Sequence, residues 1–283
     1  MRKSLPSMPI RVKQFPNFVK HIFIRTILLL QNTHSQPTFH LCYFSCNSYF
    51  KYLYCSLHSL LKFSSNHNFK IYVFNDNEQP LSDAQILSIQ NLIPGTKVIP
   101  WPKSMGWGAN QIKTIWQAYG EVAEHALDND IVARVDSDVF FFNDIIFRAV
   151  AKSDADLIGD GHYVNFEYTQ GGCYFFRADA IKKIVKLLAT ENIENLLSEI
   201  EPIVEDIAAH HFARHLKLKI WLTWFMMFPD ELRNAGGITK WMNWKFSCLH
   251  FVMKNKKAML TTYQNELLQI QEIDSFSKII NTE

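Results

Sequence analysis

Ile131, Val132, Ala133 and Val135 form a short apolar run that ends at Asp136-Ser137-Asp138. This stretch restricts the fold more than any other. Introduced by the polar turn Asp128-Asn129-Asp130, it reads as a strand covered on both faces, as in a mostly parallel sheet flanked by helices. Asp136 and Asp138 are too costly to bury as unpaired anions, so the strand end must meet water, a partner or a cation. A divalent metal is the obvious candidate.

At 283 residues and 48% hydrophobic content, the chain can bury a sizeable core, and general disorder is excluded. Twenty-two phenylalanines, ten tyrosines and seven tryptophans supply apolar area, most of it core, and do not by themselves indicate nucleic-acid binding. The formal charge of +2 conceals an asymmetry. Nine Lys or Arg and no acidic residue precede Asp76, leaving 20 basic and 27 acidic residues in the remainder. The amino-terminal part is therefore either a solvated basic arm or a surface for a phosphate-bearing ligand or an anionic membrane.

Cys42, Cys46, Cys55, Cys173 and Cys248 include no Cys-x-x-Cys pair, and no Asn-x-Ser/Thr sequence occurs. Both features lean toward a reducing, cytoplasmic setting, with membrane-peripheral contact an option. Ile22 to Leu30 is apolar but interrupted by Arg25, too short to span a bilayer. Gln31-Asn32-Thr33-His34 offers no small-residue cleavage site, which argues against a signal peptide.

Three regions follow: a basic arm over 1–36, a catalytic domain over 37–264, and a polar tail over 265–283. The arm holds at most a short helix around Phe18 to Leu30. Strand-like Phe39 to Cys46, helical Tyr49 to Phe63 and strand-like Lys70 to Phe74 form a β-α-β unit. Ligands collect at the carboxyl ends of such strands, so Ser45, Cys46, Asn47, Asn75 and Asp76 are candidates for a base or ribose; each is singly also an ordinary turn residue. Leu81 to Leu92 reads as a helix with Ser82 as N-cap, and Lys97 to Ile99 as a strand. The loop Trp101 to Gly108 has too few glycines for a phosphate-binding loop.

Asn110 to Leu127 has an apolar helical face, with Lys113 off it, either solvated or reaching a ligand. Helix, strand and loop are expected over Asp144 to Ala151, Asp156 to Gly159 and Gly161 to Thr169. Gly171-Gly172 precedes an apolar strand and permits close ligand approach or a turn, and a helix follows over Ala178 to Leu188. Glu205-Asp206 opens another helix, where acids also suit the dipole. His210 and His211 are sequential and point apart, against a metal site there. Trp221 to Phe228 is strand-like. His250 then lies near Lys254, Lys256 and Lys257, as suits a metal bound to phosphates.

Two carboxylates on a short loop hold Mg²⁺ or Mn²⁺ through oxygen and leave positions for substrate phosphate. Arg134-Val135-Asp136-Ser137-Asp138-Val139 resembles the Asp-x-Asp motif of GT-A glycosyltransferases, which use a nucleotide-sugar donor. The order of features over roughly 39 to 260 supports the resemblance: a nucleotide half, the acid pair, Gly171-Gly172, Glu205-Asp206, and His250 with its lysines. It implies a GT-A α/β fold, with a Rossmann-like, mostly parallel sheet in a single catalytic domain. It also implies Asp138 on Mn²⁺ or Mg²⁺, Asp136 on the donor ribose or the metal, and His250 completing the site. Lys254 or Lys256 would neutralise the leaving diphosphate, and Asp206, beside Glu205, would serve as base in an inverting transfer to an acceptor hydroxyl of a glycan, protein or small molecule. Where a glycine often follows the late histidine by three residues, this chain has Met253.

Two other readings stand beside it. A non-catalytic nucleotide-sugar-binding or interaction protein keeps the fold without turnover. A phosphatase of the haloacid dehalogenase type also uses Asp-x-Asp, but with Thr or Val where this chain has Phe140, and near the start of its domain.

Overall fold

The computed structural model describes residues 19, 23–30, 36–102, 108–161, 168–235, 237–238 and 245–281, without the side chains of 231, 234, 235, 253 and 254. Most of the arm over 1–36, much of the two expected aromatic loops, and the stretch 239–244 lie outside the described residues.

The chain opens with β1 (Phe39–Ser45), α1 (Phe50–Ser64), β2 (Phe69–Asp76), α2 (Asp83–Leu92), β3 (Lys97–Trp101), α3 (Ala109–Glu124) and β4 (Ile131–Val135). Helix α2 starts on a capping box in which the Ser82 hydroxyl accepts from the Gln85 amide. There follow β5 (Val139–Phe141), α4 (Ile145–Lys152), β6 (Leu157–Asp160), β7 (Cys173–Arg177), α5 (Ala178–Thr190), α6 (Ile193–Leu197) and α7 (Glu205–His215). The last part holds β8 (Ile220–Thr223), β9 (Met226–Met227), α8 (Pro229–Ala235), β10 (Cys248–His250), a 3₁₀ turn (Met253–Ala258), α9 (Met259–Leu267) and α10 (Ile270–Ile280).

A 7-stranded sheet runs β3-β2-β1-β4-β7-β6-β8. Only β7 opposes its neighbours β4 and β6; the remaining pairs are parallel. Alternate residues supply two cores. Phe39, Leu41, Tyr43, Ile131, Ala133 and Val135 face the layer that holds α1. Cys42, Phe44 and Val132 face the layer that holds α3 and α5. This two-sided covering explains why β4 is apolar without alternation. At the amino ends of β1 and β4, Asp130 accepts from the Thr38 amide at 2.9 Å and the Leu127 amide at 3.1 Å, and its Oδ2 lies 3.3 Å from His40 Nε2. The polar turn before β4 thus closes the sheet edge away from the Asp-Ser-Asp loop.

The expected strand over Trp221 to Phe228 is divided. Buried Asp160 accepts the Phe225 and Met226 amides at 2.7 and 2.6 Å, so the chain leaves β8 and enters a second, 3-stranded sheet ordered β5-β10-β9. The stretch from 265, polar in composition, nevertheless docks on α1. Phe276 is 2% exposed and packs its ring on Tyr54, His58 and Tyr263, while Lys62 pairs with Glu272 at 2.5 Å. All five cysteines are free and buried. Among the described residues no helix is long and apolar enough to cross a membrane.

His210 on α7 is buried beside the Thr169 hydroxyl, 3.3 Å from Nδ1, and Nε2 has no hydrogen-bond partner among the described residues. Burial, then the nearby Arg214 and His211, push its pKa from 6.5 down to about 4. The unfolded chain takes up this proton first, so the contribution is complete above pH 6.5 and is lost as pH falls toward 4. The loss amounts to about 3 kcal/mol at most. Urea midpoints measured from pH 7 downward should fall more shallowly in His210→Gln than in the parent chain.

Candidate active site

The pairing of β5 with β10 builds the site. Antiparallel register sets His250 opposite Val139, and the Phe251 amide donates to the Asp138 carbonyl at 2.9 Å. Residues 112 positions apart thereby become neighbours. His250 Nε2 lies 3.4 Å from Asp138 Oδ1 and 3.9 Å from Asp136 Oδ2. Donor atoms of Asp136, Asp138 and His250 all fall within 4.8 Å of one another. On the far side of Asp138, Lys256 Nζ contacts Oδ2 at 2.9 Å and donates to the Tyr49 hydroxyl at 2.7 Å.

Asp138 is only 4% exposed. Burial alone would raise its pKa, but His250 and Lys256 hold it below the usual carboxylate range. For His250, burial works against the charged form, yet Asp138 and then Asp136 raise its pKa above the ordinary value. The site is thus an acid pair compensated by cations already present in the chain.

Arg134 supplies the second cation. It stands two residues before Asp136, on the same face of the extended chain, where its Nε donates to Asp136 Oδ1 at 2.9 Å. Its NH1 meets Glu205 Oε2 at 2.5 Å. The other Glu205 oxygen receives the hydroxyls of Tyr119, at 3.3 Å, and Tyr174. Burial pushes the Glu205 carboxyl up, to about 7, against the pull of Arg134. Glu205, read in the sequence with Asp206 as catalytic, is therefore engaged on both oxygens, Oε2 by Arg134 and Oε1 by the two tyrosines.

Asp206 differs. It is half-buried, and it accepts the Gly171 amide on Oδ2 at 2.8 Å and the Ile207 amide on Oδ1 at 2.9 Å. Burial raises its pKa, with Arg134 the main opposing influence. Each carboxylate oxygen keeps a further lone pair for a substrate hydroxyl.

Gly171 and Gly172 tie these groups together. The Gly172 carbonyl accepts the Asp136 amide at 2.7 Å. A Cβ on Gly172, whose φ is +106°, would lie 2.5 Å from His250 Nδ1 and Cε1. A Cβ on Gly171 would lie 2.8 Å from Asp206 Oδ2. The pair thus packs against protein side chains, in addition to any approach by a ligand.

The remaining candidates separate into groups. Ser45 and Asn75 are register partners at the carboxyl ends of β1 and β2, and the Ser137 hydroxyl donates to Ser45 at 3.2 Å. Asn75 Oδ1 accepts the Leu81 amide at 2.9 Å and Asp76 Oδ1 accepts the Glu78 amide at 2.8 Å, which are turn-forming bonds. Asn47 is exposed at the start of a 3₁₀ turn after β1, and Cys46 is buried before it. Lys113 is exposed on α3 and makes no hydrogen bond or ion pair with the acid cluster among the described residues. The Lys254 side chain lies outside the described residues. Sequence reasoning missed Tyr49, Tyr119, Tyr174 and the role of Arg134. Only Arg134 carried a signal, as a charge within a buried strand that requires partners.

Residues 42–171 match the family model described as glycosyl transferase family 2, a stretch from β1 to Gly171 that includes Asp136 and Asp138 and stops before Asp206 and His250. An apo structure of the bifunctional glycosyltransferase WbbM superposes with a TM-score of 0.53 at 11% identity, covering 88% of this chain and 53% of that one. The chain has the GT-A glycosyltransferase fold. The apo glycosyltransferase GlyE of Streptococcus pneumoniae TIGR4 is similar at a TM-score of 0.51 and 12% identity, over 87% of this chain and 62% of that one. An active-site mutant of LgtC gives 0.50 and 11%, over 84% of this chain and 99% of that one. No curated protein matches in sequence. The matched segment carries the acid pair and runs on to Gly171, and the parts outside it bring His250 and Lys256 to that pair and Asp206 to Gly171.

Gly172→Ala should cost about 1–3 kcal/mol from the left-handed backbone, and should displace the His250 ring as well. Gly95→Ala carries similar strain at φ +85°, but its Cβ meets nothing within 4 Å. Both variants should lower the thermal midpoint, and only Gly172→Ala should also shift the His250 ring resonances measured by NMR.

Proposed function

We propose that the chain transfers a sugar from a nucleoside-diphosphate sugar to an acceptor hydroxyl, with a divalent cation, Mn²⁺ or Mg²⁺, held by Asp136, Asp138 and His250. The convergence of these three side chains within 4.8 Å in a GT-A fold carries the reading. The donor set fits the group: two carboxylates and one imidazole suit Mn²⁺ and accommodate Mg²⁺ through oxygen. The charge balance fits too, since Asp136, Asp138, Glu205 and Asp206 gather around Arg134 and Lys256 as the fixed cations.

When bound, the cation supplies positive charge to the diphosphate oxygens as the sugar-phosphate bond breaks. The chain's own groups do the rest. Lys256, beside Asp138, provides a second positive charge for the leaving diphosphate. Arg134 fixes Asp136 through Oδ1 and leaves Oδ2 toward His250. Ser45, Asn75 and Asp76 end their strands at the same sheet edge and suit the base or ribose, as ligands collect there in open α/β sheets. Asp206 takes the proton from the acceptor hydroxyl, so the product inverts. Gly171 orients that carboxylate through its amide. Five free, buried cysteines accord with work in a reducing compartment.

Asp138→Asn should abolish both Mn²⁺ binding and nucleotide-sugar turnover; turnover retained at the parent rate would overturn the proposal. Asp206→Asn should lower kcat by about 10²–10⁴-fold while Mn²⁺ binding persists. Its elevated pKa also sets the acid limb of the rate profile. The base form is lost as pH falls, so kcat/KM should drop with an apparent pKa above the ordinary aspartate value of about 4, measured at saturating Mn²⁺.

A further inference from the structure

The helical stretch over residues 23–30 presents two faces. Inward, Arg25 is 3% exposed and donates from NH1 to the carbonyls of Trp224 at 3.0 Å and Lys245 at 2.7 Å. Ile24 and Leu28 pack on the core beside it, and Lys152 Nζ donates to the Leu29 carbonyl at 3.1 Å. Outward, Phe23, Ile27 and Leu30 are 65%, 43% and 79% exposed, and Val19, one turn earlier, is 50% exposed. Spacings of four and three residues put Phe23, Ile27 and Leu30 on one side of the helix, and Val19 stands four residues before Phe23 in the sequence.

Single apolar side chains in water are ordinary, but a continuous stripe marks a surface that meets something. The helix cannot roll to bury it. Rolling would pull Arg25 from the part-buried carbonyls just before β9 and β10 and break both hydrogen bonds. The charge of the chain identifies the occupant. Arg2, Lys3, Arg11, Lys13 and Lys20 precede or adjoin the stripe, and no acidic residue occurs before Asp76. An apolar stripe with a basic leader complements a surface that is negative outside and hydrocarbon beneath.

We propose that this stripe seats the protein on an anionic phospholipid surface, with Val19, Phe23, Ile27 and Leu30 at the acyl boundary and the net positive charge of the amino-terminal sequence favouring anionic headgroups. Each signal alone binds weakly, and together they hold a peripheral protein. Arg25 couples the anchored helix rigidly to the segments that lead into β9 and β10, so lipid binding also orients the sheet that carries His250.

The test uses the full chain and vesicles of phosphatidylcholine, alone or with about one-third phosphatidylglycerol. The chain should float with the anionic vesicles and not with the neutral ones, and salt at about 0.5 M should release most of it. Phe23→Asp/Leu30→Asp should reduce flotation at least tenfold at an unchanged thermal midpoint, because both side chains already face water. Absence of flotation, equal flotation with neutral vesicles, or equal flotation of the double variant would each overturn the proposal. So would a dimer in light scattering that the double variant dissociates, since the stripe would then belong to a second copy of the chain.

Discussion

The contact between β5 and β10 is the interaction on which the site depends. Three residues on each strand suffice, because the pairing lies within a buried apolar layer of Phe140, Phe141, Cys248 and Leu249. With that register in place, His250 stands beside Asp138, and the turn after β10 brings Lys256 back onto the same carboxylate. A slip of one residue would turn His250 toward the opposite face and leave Asp138 buried without its imidazole. The second sheet is small, yet it joins Asp136, Asp138 and His250 across more than a hundred residues.

Its position follows from Asp160. That carboxylate terminates β6 and captures two consecutive amides after β8, which redirects the chain out of the large sheet and into β9. A buried acid left without these donors would cost several kcal/mol, of the order expected for an unsatisfied buried charge. The same segment supplies the Trp224 carbonyl to Arg25. Arg25 and Asp160, near enough to interact electrostatically, therefore hold the boundary between the sheets together, one by donating to carbonyls and the other by accepting from amides.

Much of this arrangement was legible in the sequence, for identifiable reasons. Strand β4 announced itself because burial on both faces demands an uninterrupted apolar run, and the Ser82 cap because its partner Gln85 stands three residues on. Asp136 and Asp138 were recognisable as a pair because no core accepts two bare carboxylates. The division of Trp221 to Phe228 into β8 and β9 was not readable, since it depends on Asp160, some sixty residues earlier in the chain. Nor was the Tyr49–Lys256 contact, which no spacing connects. Phe276 was hidden in a polar stretch because one aromatic side chain in an amphipathic helix is enough to dock it, although it barely changes the composition.

Glu205 and Asp206 show how far adjacency in sequence falls short of equivalence in chemistry. Both sit at the start of α7, where the helix dipole favours negative charge, and from sequence either could serve as a base. Successive residues on a helix point about 100° apart, and that rotation separates their environments. Glu205 turns toward Arg134, Tyr119 and Tyr174, which occupy both its oxygens. Asp206 turns toward Gly171 and, among the described residues, accepts hydrogen bonds only from backbone amides, which fix its orientation without neutralising it. Because Arg134 also grips Asp136, Glu205 steadies the acid pair through the guanidinium it holds, while its neighbour is tied to Gly171 instead.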